Sequence, residues 1–169
     1  MKRSPGVRNL TLTAHVVSSI GWLGAVAGFL VLAVAGMTAD DLTTVRAAYL
    51  AMELVGWFAV VPLALASLLT GVLQGLATHW GVFRHYWVVF KLLINVVATL
   101  LLLLYMQTLG SLARLAETAV AASDLDALRS PSPVLHAAGA LLLLLTATTL
   151  AVYKPRGLTP YGVRRQRRA

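Results

Sequence analysis

The chain contains four long uncharged stretches, 9–39, 54–83, 92–113 and 130–153. Each is longer than the ~20 residues a helix needs to cross ~30 Å of hydrocarbon. In lipid a backbone has no water to satisfy its N–H and C=O groups, so apolar runs of this length must form helices. Four such runs in 169 residues leave room for one small bundle and no soluble domain. The 59% hydrophobic content and mean hydropathy of +0.79 fit that reading. The expected fold is all-α, a polytopic membrane protein with four transmembrane helices in an antiparallel bundle. The spans are expected at about 10–37, 47–77, 86–112 and 134–153, within a single domain over 1–157, with a basic tail at 158–169.

The pI near 10.6 would suit a nucleic-acid partner, but the distribution of charge points to the bilayer instead. With four spans, both termini and the hairpin at 78–91 share one side, and only Arg46, Arg114 and Arg129 of the 14 Lys and Arg lie on the other. That other side holds all six acids, Asp40, Asp41, Glu53, Glu117, Asp124 and Asp126. The positive-inside rule then makes both termini cytoplasmic, in a bacterial cytoplasmic (inner) membrane. The lipid bilayer is the expected partner, with no role for nucleic acid. The hairpin has interfacial composition: Trp80, Tyr86 and Trp87 favour the headgroup layer, Gly81 permits a turn, and His79 and His85 sit where lipid meets water. Residues 1–8 resemble the basic lead of a signal peptide and Ala33-Val34-Ala35 a weak cleavage site. The uncharged run that follows is too long for such a signal and carries polar groups, so cleavage is not expected.

His15, Ser18, Ser19 and Trp22 fall on one face of the first helix, and an imidazole at that depth must be hydrogen-bonded, ligated or facing water. Ser18 and Ser19 are possible local partners for it. In the second span Pro62 predicts a kink, and Ser67, Gly71, Gln74 and Thr78 share a face. In the third, Lys91, Asn95, Thr99, Leu102 and Met106 do so. Lys91 and His15 lie at similar depth, and Lys91 either snorkels to the surface or pairs an anionic group such as a haem propionate. Arg84 and Lys154 border the same mouth. Gly24 with Gly28 and Gly71 with Gly75 are small-xxx-small steps that let helices approach and leave room for a homo-oligomer. Met37, Met52, Met106 and His136, one near the outer end of each span, form a second candidate set. Thioether and imidazole suit Cu(I) or a haem with Met/His axial ligation, or these residues pack as ordinary side chains. With no cysteine, thiolate sites are excluded.

Several short features together resemble a known group. They are His15 with Trp22, Met52-Glu53, Pro62 with Gly71, Trp87 with Lys91-Leu92, Tyr105, Pro133 and Tyr153-Lys154. Over most of residues 10–155 the chain resembles the haem-containing, membrane-bound protoporphyrinogen oxidases and the related copper-resistance D-like membrane domains, by way of an uncharacterised bacterial family of four-span proteins. The resemblance implies haem b at His15 and a role in activity for Lys91. With haem at His15, Lys91, Arg84 and Lys154 are expected near the propionates and Trp22 alongside. The resemblance also implies electron transfer with a redox partner, or tetrapyrrole oxidoreduction. The chain departs from that pattern at Val89 and Met106, where the oxidases carry histidine. Copper handling or transport, and a cofactor-free structural or accessory role, stand as the alternatives.

Overall fold

The structure, a computed structural model, describes residues 5–78, 81–120 and 125–167. His79 and Trp80 of the expected interfacial hairpin, Lys2, Arg3 and Arg168 among the basic residues, and Asp124 lie outside the described residues. The elements are α1 (Pro5–Thr38), α2 (Leu42–Val55), a π-helical turn (Gly56–Val60), α3 (Val61–Ala77), α4 (Tyr86–Thr118), α5 (Leu125–Leu128), α6 (Ser132–Tyr153) and α7 (Pro160–Gln166). Four helical stretches are long and apolar enough to cross a membrane: Gly6–Thr38, Leu42–Ala77, Tyr86–Thr118 and Leu125–Tyr153. The protein is an all-helical, multi-pass bundle. α1 spans 34 residues, ~50 Å at helical rise, so its ends extend past the hydrocarbon.

The stretches pack in a ring that follows chain order. α1 lies against α2, α3 and α6, and α4 lies against α2, α3 and α6. Short connections enforce this up-and-down order. At the first, Asp41 is the N-cap of α2 and accepts the Thr44 amide at 2.8 Å, which satisfies one of the donors a helix start leaves open. The backbone amide of Thr44, and then its side chain, hold the Asp41 carboxyl below the usual carboxylate range.

Pro62 has no N–H, and its ring would clash with the carbonyl four residues back. The chain accommodates it in the wider turn just before it, where the Val61 amide donates to the Gly56 carbonyl instead of to the residue one position later. That turn brings Gly56 against α4, and a β-carbon at Gly56 would lie 2.7 Å from Cε of Met106. Here glycine is needed for close approach. The expected steps behave differently from one another. Gly24 and Gly28 have open space around them within the chain, so no helix of this bundle uses them. Gly71, by contrast, lies against the ring of His15.

At the end opposite the chain termini, the guanidinium of Arg46 closes the last turn of α4. Its Nε donates to the carbonyl of Ala116 at 2.8 Å, and Nη2 donates to those of Glu117 and Ala119. The carbonyls that a helix end leaves open thus find a cationic donor. Tyr49 reaches the Leu128 carbonyl nearby.

The segment expected as a basic tail is a docked element. Thr159 caps α7 by accepting the Gly162 amide at 3.1 Å, and its own amide donates to the Arg84 carbonyl at 3.0 Å. Gly162 lies so close to that carbonyl that a β-carbon would come within 2.3 Å of the oxygen. The Thr159-Pro160 pair, a cap followed by a first-turn proline, is the local signal for this helix. Gly81 adopts φ 63 in the hairpin, the turn conformation expected of it.

Candidate functional site

At the end of the bundle that carries the termini, α1, α3, α4 and the end of α6 enclose a cavity of about 570 Å³. His15, Lys91, Lys154 and Arg8 line it, together with Asn95, Gln74 and Thr78, and among the described residues no carboxylate does. Asn9, Thr11 and Ser67 add further polar groups, and the apolar part of the lining includes Leu12, Val16, Leu68 and Leu92.

Helical spacing assembles this site. His15, Ser18 and Ser19 face α3, where Ser67, Thr70 and Gly71 recur on one side. Ser19 and Ser67 share a hydrogen bond of 2.8 Å. Ser18, expected as a possible partner of the imidazole, turns its hydroxyl to the backbone carbonyl of His15 at 3.1 Å. The ring is held by two other residues. Nδ1 lies 3.1 Å from the Thr70 hydroxyl and Nε2 lies 3.2 Å from Nζ of Lys91. The donors present fix the roles. An ammonium only donates, so Nε2 accepts, and Nδ1–H donates to Thr70, whose hydroxyl hydrogen goes to the Ala66 carbonyl at 2.6 Å. Gly71 closes the other side of the ring, where an added β-carbon would lie 3.1 Å from Cε1. Lys91 therefore turns inward to the histidine, and Asn95 one turn on donates to the Lys91 carbonyl at 2.7 Å.

Thr70 is the residue that sequence reading missed. It lies three positions beyond Ser67 on the polar face of α3 and could have been found by extending that stripe. Arg8, on the first turns of α1, was counted as a topology charge and lines the cavity as well. Lys154 caps α6 with φ 44, the one positive φ outside glycine among the described residues. A side chain held there costs on the order of 1–3 kcal/mol, and such strain gathers at working sites.

Two residues expected beside the ligand stand elsewhere. Trp22 is buried with Val26, Val60, Ala64, Ala98 and Leu144, a core position next to the site and outside the cavity lining. Arg84 is in the hairpin under α7, where its carbonyl receives Thr159, and it also lies outside the lining.

The expected outer set comes together only in part. Met106 and His136 line a second, apolar cavity of about 540 Å³ between α1, the π-helical turn, α4 and α6. Met52 is fully buried in the adjoining core with Met106, and Met37 lies outside both the lining and that core. His136 stacks on Tyr105 with ring centroids 3.9 Å apart and donates Nδ1–H to the Ser132 carbonyl at 2.8 Å. A single copper ion needs three or four soft donors, and this cavity brings two. Among the described residues no three His, Asp or Glu side chains gather as a metal site would require. No family model matches the chain, and no curated protein or solved structure matches it.

Proposed function

We propose that this protein binds haem b in the cavity around His15 and serves in electron transfer or tetrapyrrole oxidoreduction at the cytoplasmic face of a bacterial inner membrane. The observation that carries the reading is the coincidence, in one cavity, of an oriented imidazole with a set of cations and, among the described residues, no carboxylate. A planar, apolar macrocycle with two propionates asks for that combination: a nitrogen ligand, apolar walls and basic groups at one rim. About 570 Å³ lies in the range of small-molecule and cofactor sites.

The residues present fit the group. His15 would hold the iron through Nε2. Thr70, receiving Nδ1–H, fixes the ring's orientation and tautomer, as the outer partners of metal-bound histidines do. Lys91 and Arg8, with Lys154 on the same lining, would pair the propionates, and Leu12, Val16, Leu68 and Leu92 would lie against the macrocycle. When bound, haem supplies one-electron chemistry at its iron, and that role requires a redox partner. The resemblance to the haem-containing membrane oxidases points the same way. Purified from haem-replete cells, the protein should carry close to one haem per chain by the pyridine haemochrome assay. A preparation with only trace haem would count against the reading.

A further inference from the structure

We propose that Lys91 is a displaceable cap on His15, and that the cavity admits an amphipathic anion whose carboxylate or phosphate draws the ammonium away and opens Nε2. The inference deepens the haem reading, on which the identity of the final ligand rests, but the cap is a property of the chain alone.

The hydrogen bonds require it. Nδ1 of His15 is committed to Thr70, so Nε2 is the nitrogen left for a metal or a proton-bearing group, and the Lys91 ammonium occupies its lone pair at 3.2 Å. A ligand cannot take Nε2 while Lys91 holds it. Among the described residues no carboxylate pairs with this ammonium. The one ion pair among the described residues, Arg129 with Asp40, lies at the opposite end of the bundle. A neutral imidazole supplies no counter-charge to an ammonium in a low-dielectric setting, whereas a carboxylate or phosphate adds Coulombic attraction to the hydrogen bond. An anion that reaches the cavity therefore outcompetes His15 for Lys91.

The surroundings say what kind of anion. Arg8 from α1 lines the same cavity, and among the described residues its lining contains no carboxylate to repel an anion. Leu12, Val16, Leu68 and Leu92 give the lining an apolar portion, Leu12 and Val16 on the exposed surface of α1, so the anionic group is expected to carry an apolar body.

The test reads the histidine itself. Protein labelled with 15N-histidine is prepared without haem in phosphatidylcholine nanodiscs, and the His15 resonances are identified by their loss in His15→Gln. The wild type should show the Nδ1–H tautomer with Nε2 as a hydrogen-bond acceptor. Lys91→Met should move the Nε2 resonance to its uncapped position, whereas Lys91→Arg, which keeps a donor, should leave it near the wild-type value and exclude unfolding as the cause. Hexadecyl phosphate should move the wild-type resonance to the Lys91→Met position and leave Lys91→Met unchanged, with hexadecanol inert. Inorganic phosphate should need a higher concentration, and equal potency would overturn the requirement for an apolar body. An Nε2 resonance that is the same in wild type and Lys91→Met, or that ignores hexadecyl phosphate, would overturn the cap. Because the protein is haem-free, failure of the haem reading leaves this result interpretable.

Discussion

Nζ of Lys91 and Nε2 of His15, 76 positions apart in the chain, meet at 3.2 Å inside the bundle. The contact joins the first and third membrane-spanning stretches, which do not follow one another around the ring of helices. It also makes the imidazole's orientation depend on α3 and α4 together, since Thr70 holds the other ring nitrogen.

Thr70→Val keeps the branched shape and removes the hydroxyl. It leaves Nδ1–H of His15 without its acceptor, a loss of about 1–3 kcal/mol for a buried polar group. Loss of such an outer partner weakens metal affinity by about 10- to 100-fold. Transfer of haem to excess apomyoglobin should accelerate accordingly, and an unchanged transfer rate would mean that Thr70 does not orient the ligand.

Removing the side chain of Arg46 leaves the carbonyls of Ala116, Glu117 and Ala119 without their cationic donor. Arg46→Met should lower stability by about 1–3 kcal/mol, measured by thermal unfolding in detergent. Arg129→Ala breaks only the exposed pair with Asp40, 2.9 Å long, and should cost no more than about 1 kcal/mol. Equal losses from the two variants would contradict the role given to Arg46.

Asp41 sets a pH dependence at the turn between α1 and α2. Its carboxyl is held below the ordinary range by the Thr44 amide, so the cap's contribution is fully present above the unfolded-state pKa and disappears as pH falls through the lower folded value. In an unfolding series carried below about pH 4 the wild type should lose stability that Asp41→Asn does not lose. Parallel curves for the two proteins would show that the cap does not titrate.

Much of this architecture was legible in the chain. Run length alone gives four helices, and 3.6-residue spacing puts His15 with Ser18 and Lys91 with Asn95 on interior faces, because polar groups in hydrocarbon must turn toward one another. The shared depth of His15 and Lys91 followed from counting helical rise from the hairpin. What spacing cannot supply is which face meets which. Trp22 has the phase of the polar stripe yet buries its ring in the core one turn further along, and Arg84 has the right depth yet spends its carbonyl on Thr159. Gly24 and Gly28 carry the pattern of a close crossing, but helix order leaves them facing outward. The docking of α7 depends on contacts between residues far apart in sequence, so a run of arginines near the terminus read as a tail.

The most direct test is the absorption spectrum of the protein purified from haem-replete cells beside that of His15→Ala. A haem held by His15 gives the wild type a Soret band that is absent from a folded, membrane-inserted His15→Ala. A colourless wild type, or a Soret band of equal strength in His15→Ala, would contradict haem ligation at this site.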